Sequence, residues 1–236
     1  MLPGQFPQPV MVVLLLLIGV GCSRNDPGAS DVATRSDPRV TEQTDRADPS
    51  QPVILFLGDS LTAGYYLDPD DAYPALIQRR LDRKGGHWRA VNAGVSGDTS
   101  ADGVQRLPWL LRQRVDILVL ALGANDALRG QPIDHIRGQL SAIIEQTRAA
   151  YPDVRVVLAG MRMPTNYGAE YTEAFASLFV DLAETYDAVL IPFLLEGVAG
   201  DPDLNLSDGI HPTEAGHRIM ADTVWTYLSP LVERDE

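Results

Sequence analysis

The chain has 236 residues, 45% of them hydrophobic, enough for one ordinary globular domain with some length left over. Its 32 acidic residues outnumber 19 basic ones for a formal net charge of -13, and no basic run is present. This balance argues against a nucleic-acid partner, which needs a clustered basic surface, and the sole cysteine, Cys22, rules out an internal disulfide and any cysteine-based metal site.

In chain order, the first feature is the apolar stretch Val10 to Val20. It is far shorter than the roughly 20 residues that a membrane-spanning helix needs. Its length matches the core of a secretory signal, and the small residues Gly19-Val20-Gly21 lead into Cys22. Residues 1–22 are therefore expected to be a signal peptide. The segment resembles the lipobox of bacterial lipoproteins, where a cysteine after small residues is lipidated and becomes the new N-terminus. The resemblance implies lipidation at Cys22, membrane association through an N-terminal lipid anchor, and an exported protein, periplasmic or membrane-anchored. Two features depart from the pattern: Gly19 stands where Leu is preferred, and residues 1–9 carry three prolines and no Lys or Arg. An ordinary cleaved signal with an incidental cysteine is the alternative.

From Ser23 to Pro52 the composition turns to Asp, Ser, Pro, Arg and Thr, without an aromatic residue or a period of 2 or 3.6. Such a segment buries too little apolar area to offset its ordering entropy. Residues 23–52 read as a disordered linker, spanning about 30 Å as a flexible coil, and residues 53–236 as the folded domain.

The domain opens with Val53-Ile54-Leu55-Phe56-Leu57, a continuous apolar run stopped by Gly58, which suits a strand buried on both faces. Ala72 to Leu81 has helical spacing, Trp88 to Val91 suits a second strand, and Ser100 to Arg112 a helix capped by Thr99 or Ser100. Val115 to Leu122 is the clearest strand. Then come a helix at Ile133 to Ala150, a strand at Val154 to Ala159, a helix at Ala169 to Tyr186 and a strand at Ala188 to Ile191. A last helix runs from Thr213 to about Leu228. This alternation predicts an α/β fold, a three-layer α/β/α sandwich around a central parallel sheet. In such sheets the site lies outside the carboxyl ends of the strands.

The residues at those ends carry the chemistry. Gly58-Asp59-Ser60-Leu61 follows the first strand. A serine there either presents a reactive hydroxyl beside backbone N–H groups that can receive an oxyanion, or caps a helix. Asn92 to Thr99 follows the second strand, and within it Gly97 can bring a backbone N–H close to a ligand or simply serve a turn. Gly123-Ala124-Asn125-Asp126 follows the third. The Asn125 amide can donate to an oxyanion without adding charge, or satisfy a turn. Asp208-Gly209-Ile210-His211-Pro212 precedes the last helix, and one turn of chain can bring the carboxylate to the imidazole. His87, His135 and His217 lack such surroundings and read as surface or structural residues.

The order Ser, Gly, Asn, His, each after a strand or before the last helix, resembles the SGNH (GDSL) hydrolases over about Val53 to Val232. The blocks Gly58 to Tyr65, Ser96 to Ser100, Ala124 to Gly130, Pro164 to Gly168 and Asp208 to Pro212 are similar to the branch containing bacterial acyl-CoA thioesterase I, lysophospholipase and arylesterase. The resemblance implies a flavodoxin-like sandwich and a serine ester hydrolase with Ser60, Asp208 and His211 as its triad. It places Ser60, Gly97 and Asn125 in the oxyanion hole. It implies no metal or organic cofactor, and a small acyl ester or lysophospholipid as substrate. Asp126, Leu128, Arg129, Met163, Tyr167 and Leu195 are candidates for substrate contacts, and core packing explains Met161, Met163, Tyr167 and Leu195 equally well. Relatives often carry a bulky apolar residue near Gln131-Pro132, so acyl-chain preference stays open. A carbohydrate or cell-wall deacetylase on the same scaffold is the alternative within enzymes, and a catalytically inactive exported binding lipoprotein the alternative outside them.

Overall fold

Residues 50–233 are described by the computed structural model. The expected signal segment 1–22 with Cys22, the linker up to residue 49, and residues 234–236 lie outside them. Five parallel strands form one sheet: β1 Val53–Gly58, β2 Arg89–Gly94, β3 Ile117–Ala121, β4 Arg155–Ala159 and β5 Val189–Ile191, in the order β2-β1-β3-β4-β5. The alternation read from the sequence therefore gives the α/β fold expected. The last linker residues already belong to it, because Arg89 N–H donates to Pro52 O (2.9 Å) and Gln51 Nε2 to Gly86 O (3.3 Å).

Burial explains which strands read most clearly. Every residue of β1 and of β3 is buried, as the continuous apolar runs require of central parallel strands. The edge strands β2 and β5 are mostly half-buried, and β2 carries Arg89 and Asn92. The helices are α1 Ser60–Ala63, α2 Tyr73–Arg83, α3 Ser100–Leu110, α4 Ala124–Leu128, α5 Ile133–Ala150, α6 Ala169–Thr185 and α7 Glu214–Val232. Helix α2 packs on α7, while α3 packs on α5 and α5 on α6, the two outer layers of the sandwich. Thr99 is the cap of α3, in a reciprocal capping box with Asp102.

The last helix and two short ones differ from the sequence reading. The expected end of the last helix near Leu228 gives way to Val232, with Pro230 inside the helix. Leu231 and Val232 are 7% and 3% exposed; their burial outweighs the hydrogen bond that proline removes. The one-turn helices α1 and α4 have no periodicity long enough to read, yet they carry the residues that matter most.

The chain leaves β1 toward β2 and returns to place β3 on the other side of β1. The carboxyl ends of β1 and β3 therefore flank the switch point of the sheet, where open α/β folds bind ligands. Ser60 follows β1 there, and Asn125 follows β3.

Candidate active site

Ser60 is the first residue of α1, and the cap is its neighbour: Asp59 Oδ1 accepts the Leu61 N–H at 3.0 Å. The reading of Ser60 as a helix cap is thus set aside, and its hydroxyl is free for other work. The first N–H groups of a helix have no partner within it, so Ser60 starts α1 where donors point outward. Close packing holds this turn: a Cβ on Gly94 would meet Ala63 N at 2.2 Å, so β2 can end beside α1 only with glycine there.

His211 Nε2 lies 3.0 Å from Ser60 Oγ, and His211 Nδ1 lies 2.7 Å from Asp208 Oδ2. The second carboxylate oxygen, Asp208 Oδ1, accepts the backbone N–H groups of Ile210 (2.9 Å) and His211 (3.0 Å). These backbone donors, then the His211 ring, hold the Asp208 carboxyl down to about 2, so it is an acceptor over the whole neutral range. Tyr65 packs its ring against His211, with centroids 4.4 Å apart. The loop itself is closed by Leu206 N–H to His211 O at 2.7 Å. A base bonded to a hydroxyl and oriented by a carboxylate can take that hydroxyl's proton.

Gly97 and Asn125 follow β2 and β3 at the same end of the sheet as Ser60. Gly97 has φ +86°, a left-handed conformation that suits glycine, and a Cβ there would meet nothing within 4 Å, so its backbone faces open space. Asn125 Nδ2 donates to Asp98 O at 3.0 Å and approaches Asp59 Oδ2 at 3.4 Å. The second contact is long for a hydrogen bond. One amide hydrogen is thus held, and the other can turn to a stronger acceptor, such as an oxygen acquiring charge. Ser60, Gly97, Asn125, Asp208 and His211 are all at this end of the sheet.

Three carboxyl groups behind the site differ in kind. Asp59 is 1% exposed, and burial pushes it up to about 6 against the Leu61 N–H and the nearby His211, which lower it. Asp98 is paired with Arg106 Nε at 2.7 Å, and Arg106 Nη2 also donates to Gly58 O at 2.9 Å. Asp126, expected among the substrate contacts, is 1% exposed and turned inward, both oxygens accepting from Ser100. That expectation is corrected: a carboxyl so occupied has no surface to offer a substrate.

Met163 is corrected on the same ground. It is 6% exposed, and Met161 3%, both packed into the core. Leu195 is partly buried against that core. Leu128 and Tyr167 remain at the surface, each 38% exposed, with Tyr167 Oη donating to Leu128 O at 3.3 Å. Arg129 is exposed and donates to Gly97 O at 3.0 Å, holding the loop that carries Gly97. Of the other histidines, His87 and His135 are exposed, while His217 is buried with Nδ1 accepting the Tyr73 N–H at 3.1 Å.

Sequence reasoning passed over Asp59, Asp98, Ser100 and Arg106. Asp59 had a usable signal, since it stands beside Ser60 at the start of a turn and aspartate is a good helix cap. Arg106 had none; a lone arginine on a helix does not announce a partner at Gly58.

Comparison with known proteins shows the family. The family model described as the GDSL-like Lipase/Acylhydrolase family matches residues 56–219. Esterase TesA of Pseudomonas aeruginosa is 39% identical over 180 residues, covering 76% of this chain and 89% of that protein. Thioesterase 1/protease 1/lysophospholipase L1 of Escherichia coli is 40% identical over 183 residues, covering 77% and 86%. The crystal structure of TesA superposes with a TM-score of 0.72, at 39% identity, over 77% of this chain and all but 1% of the other. With a family match across most of the folded residues and relatives this similar over three quarters of its length, the chain belongs to the GDSL-like lipase/acylhydrolase family and is a carboxylic ester hydrolase.

Proposed function

We propose that the protein cleaves acyl esters by two-step transfer through Ser60. Ser60 Oγ attacks the ester carbonyl carbon as His211 Nε2 takes its proton, and the carbonyl oxygen becomes an oxyanion. The Ser60 and Gly97 N–H groups and the Asn125 amide receive that charge. Collapse breaks the ester bond, His211 passes the proton to the departing oxygen, and the acyl group stays on Ser60. Water, deprotonated by His211, then releases the acid and restores the serine. Asp208 keeps the imidazole in the right tautomer and stabilises its cation.

The observation that carries this reading is the unbroken line from Asp208 Oδ2 through His211 to Ser60 Oγ, at 2.7 and 3.0 Å. The relatives' names extend it to the substrate class: esterase, thioesterase and lysophospholipase point to small acyl esters and lysophospholipids. A fluorophosphonate probe applied to the full chain tests the nucleophile. The wild type is expected to be labelled and Ser60→Ala not; labelling of Ser60→Ala would place the reactive hydroxyl elsewhere. A panel of p-nitrophenyl esters from two to sixteen carbons, with lysophospholipid and acetyl-xylan, reads the substrate class.

The same proposal places the enzyme outside the cytoplasm on a lipid anchor at Cys22. Metabolic labelling with a palmitate analogue is expected to mark the wild type and not Cys22→Ala, and Cys22→Ala is expected to leave the membrane fraction. An unlabelled wild type would mean a secreted or periplasmic enzyme without an anchor.

A further inference from the structure

Helix α4 is tied to the loop before α3 and to the first residue of α3 by four hydrogen bonds that the chemistry above does not use. Asn125 Nδ2 donates to Asp98 O and Arg129 Nη2 to Gly97 O, both at 3.0 Å. Ser100 N–H donates to Asp126 Oδ2 at 2.7 Å, and Ser100 Oγ–H to Asp126 Oδ1 at 2.6 Å. The Ser100–Asp126 bonds are the shortest and deepest, with Ser100 0% and Asp126 1% exposed. Asp126 is the next residue after Asn125, and Ser100 lies three after Gly97.

A buried hydroxyl–carboxyl pair is an expensive way to hold two segments together. Apolar groups of the same shape would fill the space at little or no loss of stability. What the polar pair adds is direction, since two short bonds from one residue to one carboxyl fix both distance and rotation. We infer that Ser100 and Asp126 are a positioning pair, setting the Gly97 N–H and the Asn125 amide at a fixed separation around the developing oxyanion. The inference rests on the Ser60 chemistry proposed above. Neither residue touches the reacting atoms. Their contribution is to keep two donors, one on a loop and one on helix α4, in place before charge appears, where a shift of about 1 Å costs about 100-fold in rate.

The test uses full-length Ser100→Ala, Asp126→Asn and Asp126→Ala, with active sites counted by fluorophosphonate titration. For each, kcat per titrated site, KM for p-nitrophenyl butyrate, melting temperature, and Ki for an alkyl boronic acid are measured. The boronic acid forms a tetrahedral adduct that mimics the transition state. Ser100→Ala is expected to lower kcat about 10-fold and Asp126→Ala about 100-fold, with KM changed less than about twofold. Asp126→Asn, which keeps one acceptor, is expected to fall between the wild type and Asp126→Ala. The boronate Ki is expected to rise in the same proportion as kcat/KM falls. A lower melting temperature with unchanged kcat per site would make the pair a fastener of the fold and overturn the inference; so would a loss carried by KM or an unchanged boronate Ki. If Asp126→Ala does not fold, Ser100→Ala decides, because it removes one hydroxyl and leaves the backbone bond to Asp126. Normal kcat in Ser100→Ala beside an inert Ser60→Ala would sink only this inference, whereas an active Ser60→Ala would sink the reading beneath it.

Discussion

Asp208 and His211 stand three residues apart on one loop, with side chains 39% and 19% exposed. Gly97 comes from the loop after β2 and Asn125 from helix α4 after β3, two segments tied together by Ser100 and Asp126, both almost fully buried. The proton-handling pair thus comes from one partly exposed loop, the open half of the site, whereas the oxyanion donors, with Gly97 itself exposed, are joined through a buried pair beneath them, the closed half. The difference follows from the tasks. A base must exchange protons with substrate and water, so a single loop with solvent access serves it. Oxyanion donors gain their effect from being fixed in advance, and only packed, buried partners hold two segments that firmly.

Breaking the open half gives the largest expected effect. His211→Ala is expected to lower kcat by about 10⁶ and Asp208→Ala by about 10⁴, because His211 moves the proton while Asp208 orients and stabilises it. Thermal melts should show both variants folded. If His217→Ala or His135→Ala proved as damaging to turnover, the base would be misassigned.

The closed half should break less completely. Asn125→Ala is expected to lower kcat by about 10²–10³ with little change in KM, the signature of one donor lost from the transition state. An Asn125 serving only its turn would instead lower the melting temperature and leave kcat per folded molecule near normal. Measuring kcat, KM and the melting temperature on one preparation separates the outcomes and sharpens the contrast with His211.

The smallest effects concern stability against pH, where two buried groups oppose each other. Burial lowers His217 from 6.5 to about 4, so the unfolded chain binds more protons between those values and stability falls as pH drops from 6.5 to 4. Burial raises Asp59 from 3.8 to about 6, so the folded chain binds more protons there and stability falls as pH rises from 3.8 to 6. The two slopes have opposite sign over about pH 4–6. His217→Gln is expected to make the melting temperature rise on acidification through that window relative to wild type, and Asp59→Asn to make it fall more steeply. Parallel curves for wild type and both variants would refute the opposition.

Much of this molecule is legible in its sequence alone. β1 and β3 announced themselves because central parallel strands are buried on both faces and must read as unbroken apolar runs. Asp208 and His211 could be paired because one turn of chain suffices to join them. Glycine and proline marked the ends of strands, and the reactive residues lay just beyond. What the sequence by itself determined was therefore everything whose cause is local: periodicity, caps, turns, and a carboxylate beside its imidazole.

Tertiary structure decided the rest. Ser60 and His211 meet across 151 residues, and Ser100 and Asp126 across 26. No spacing rule connects such positions; five parallel strands put the segments after β1, β2 and β3, and the stretch between β5 and α7 that carries His211, at one end of the sheet. Asp126, inside the block Ala124 to Gly130, and Met163, just before Pro164 to Gly168, are candidates for substrate contacts by sequence, but the direction of a side chain depends on what packs around it. Asp126 turned inward to a buried serine, and Met163 into the core. The physical reason is the same in each case: local sequence sets backbone conformation, while burial and long-range hydrogen bonding choose which side chains face solvent and which disappear beneath them.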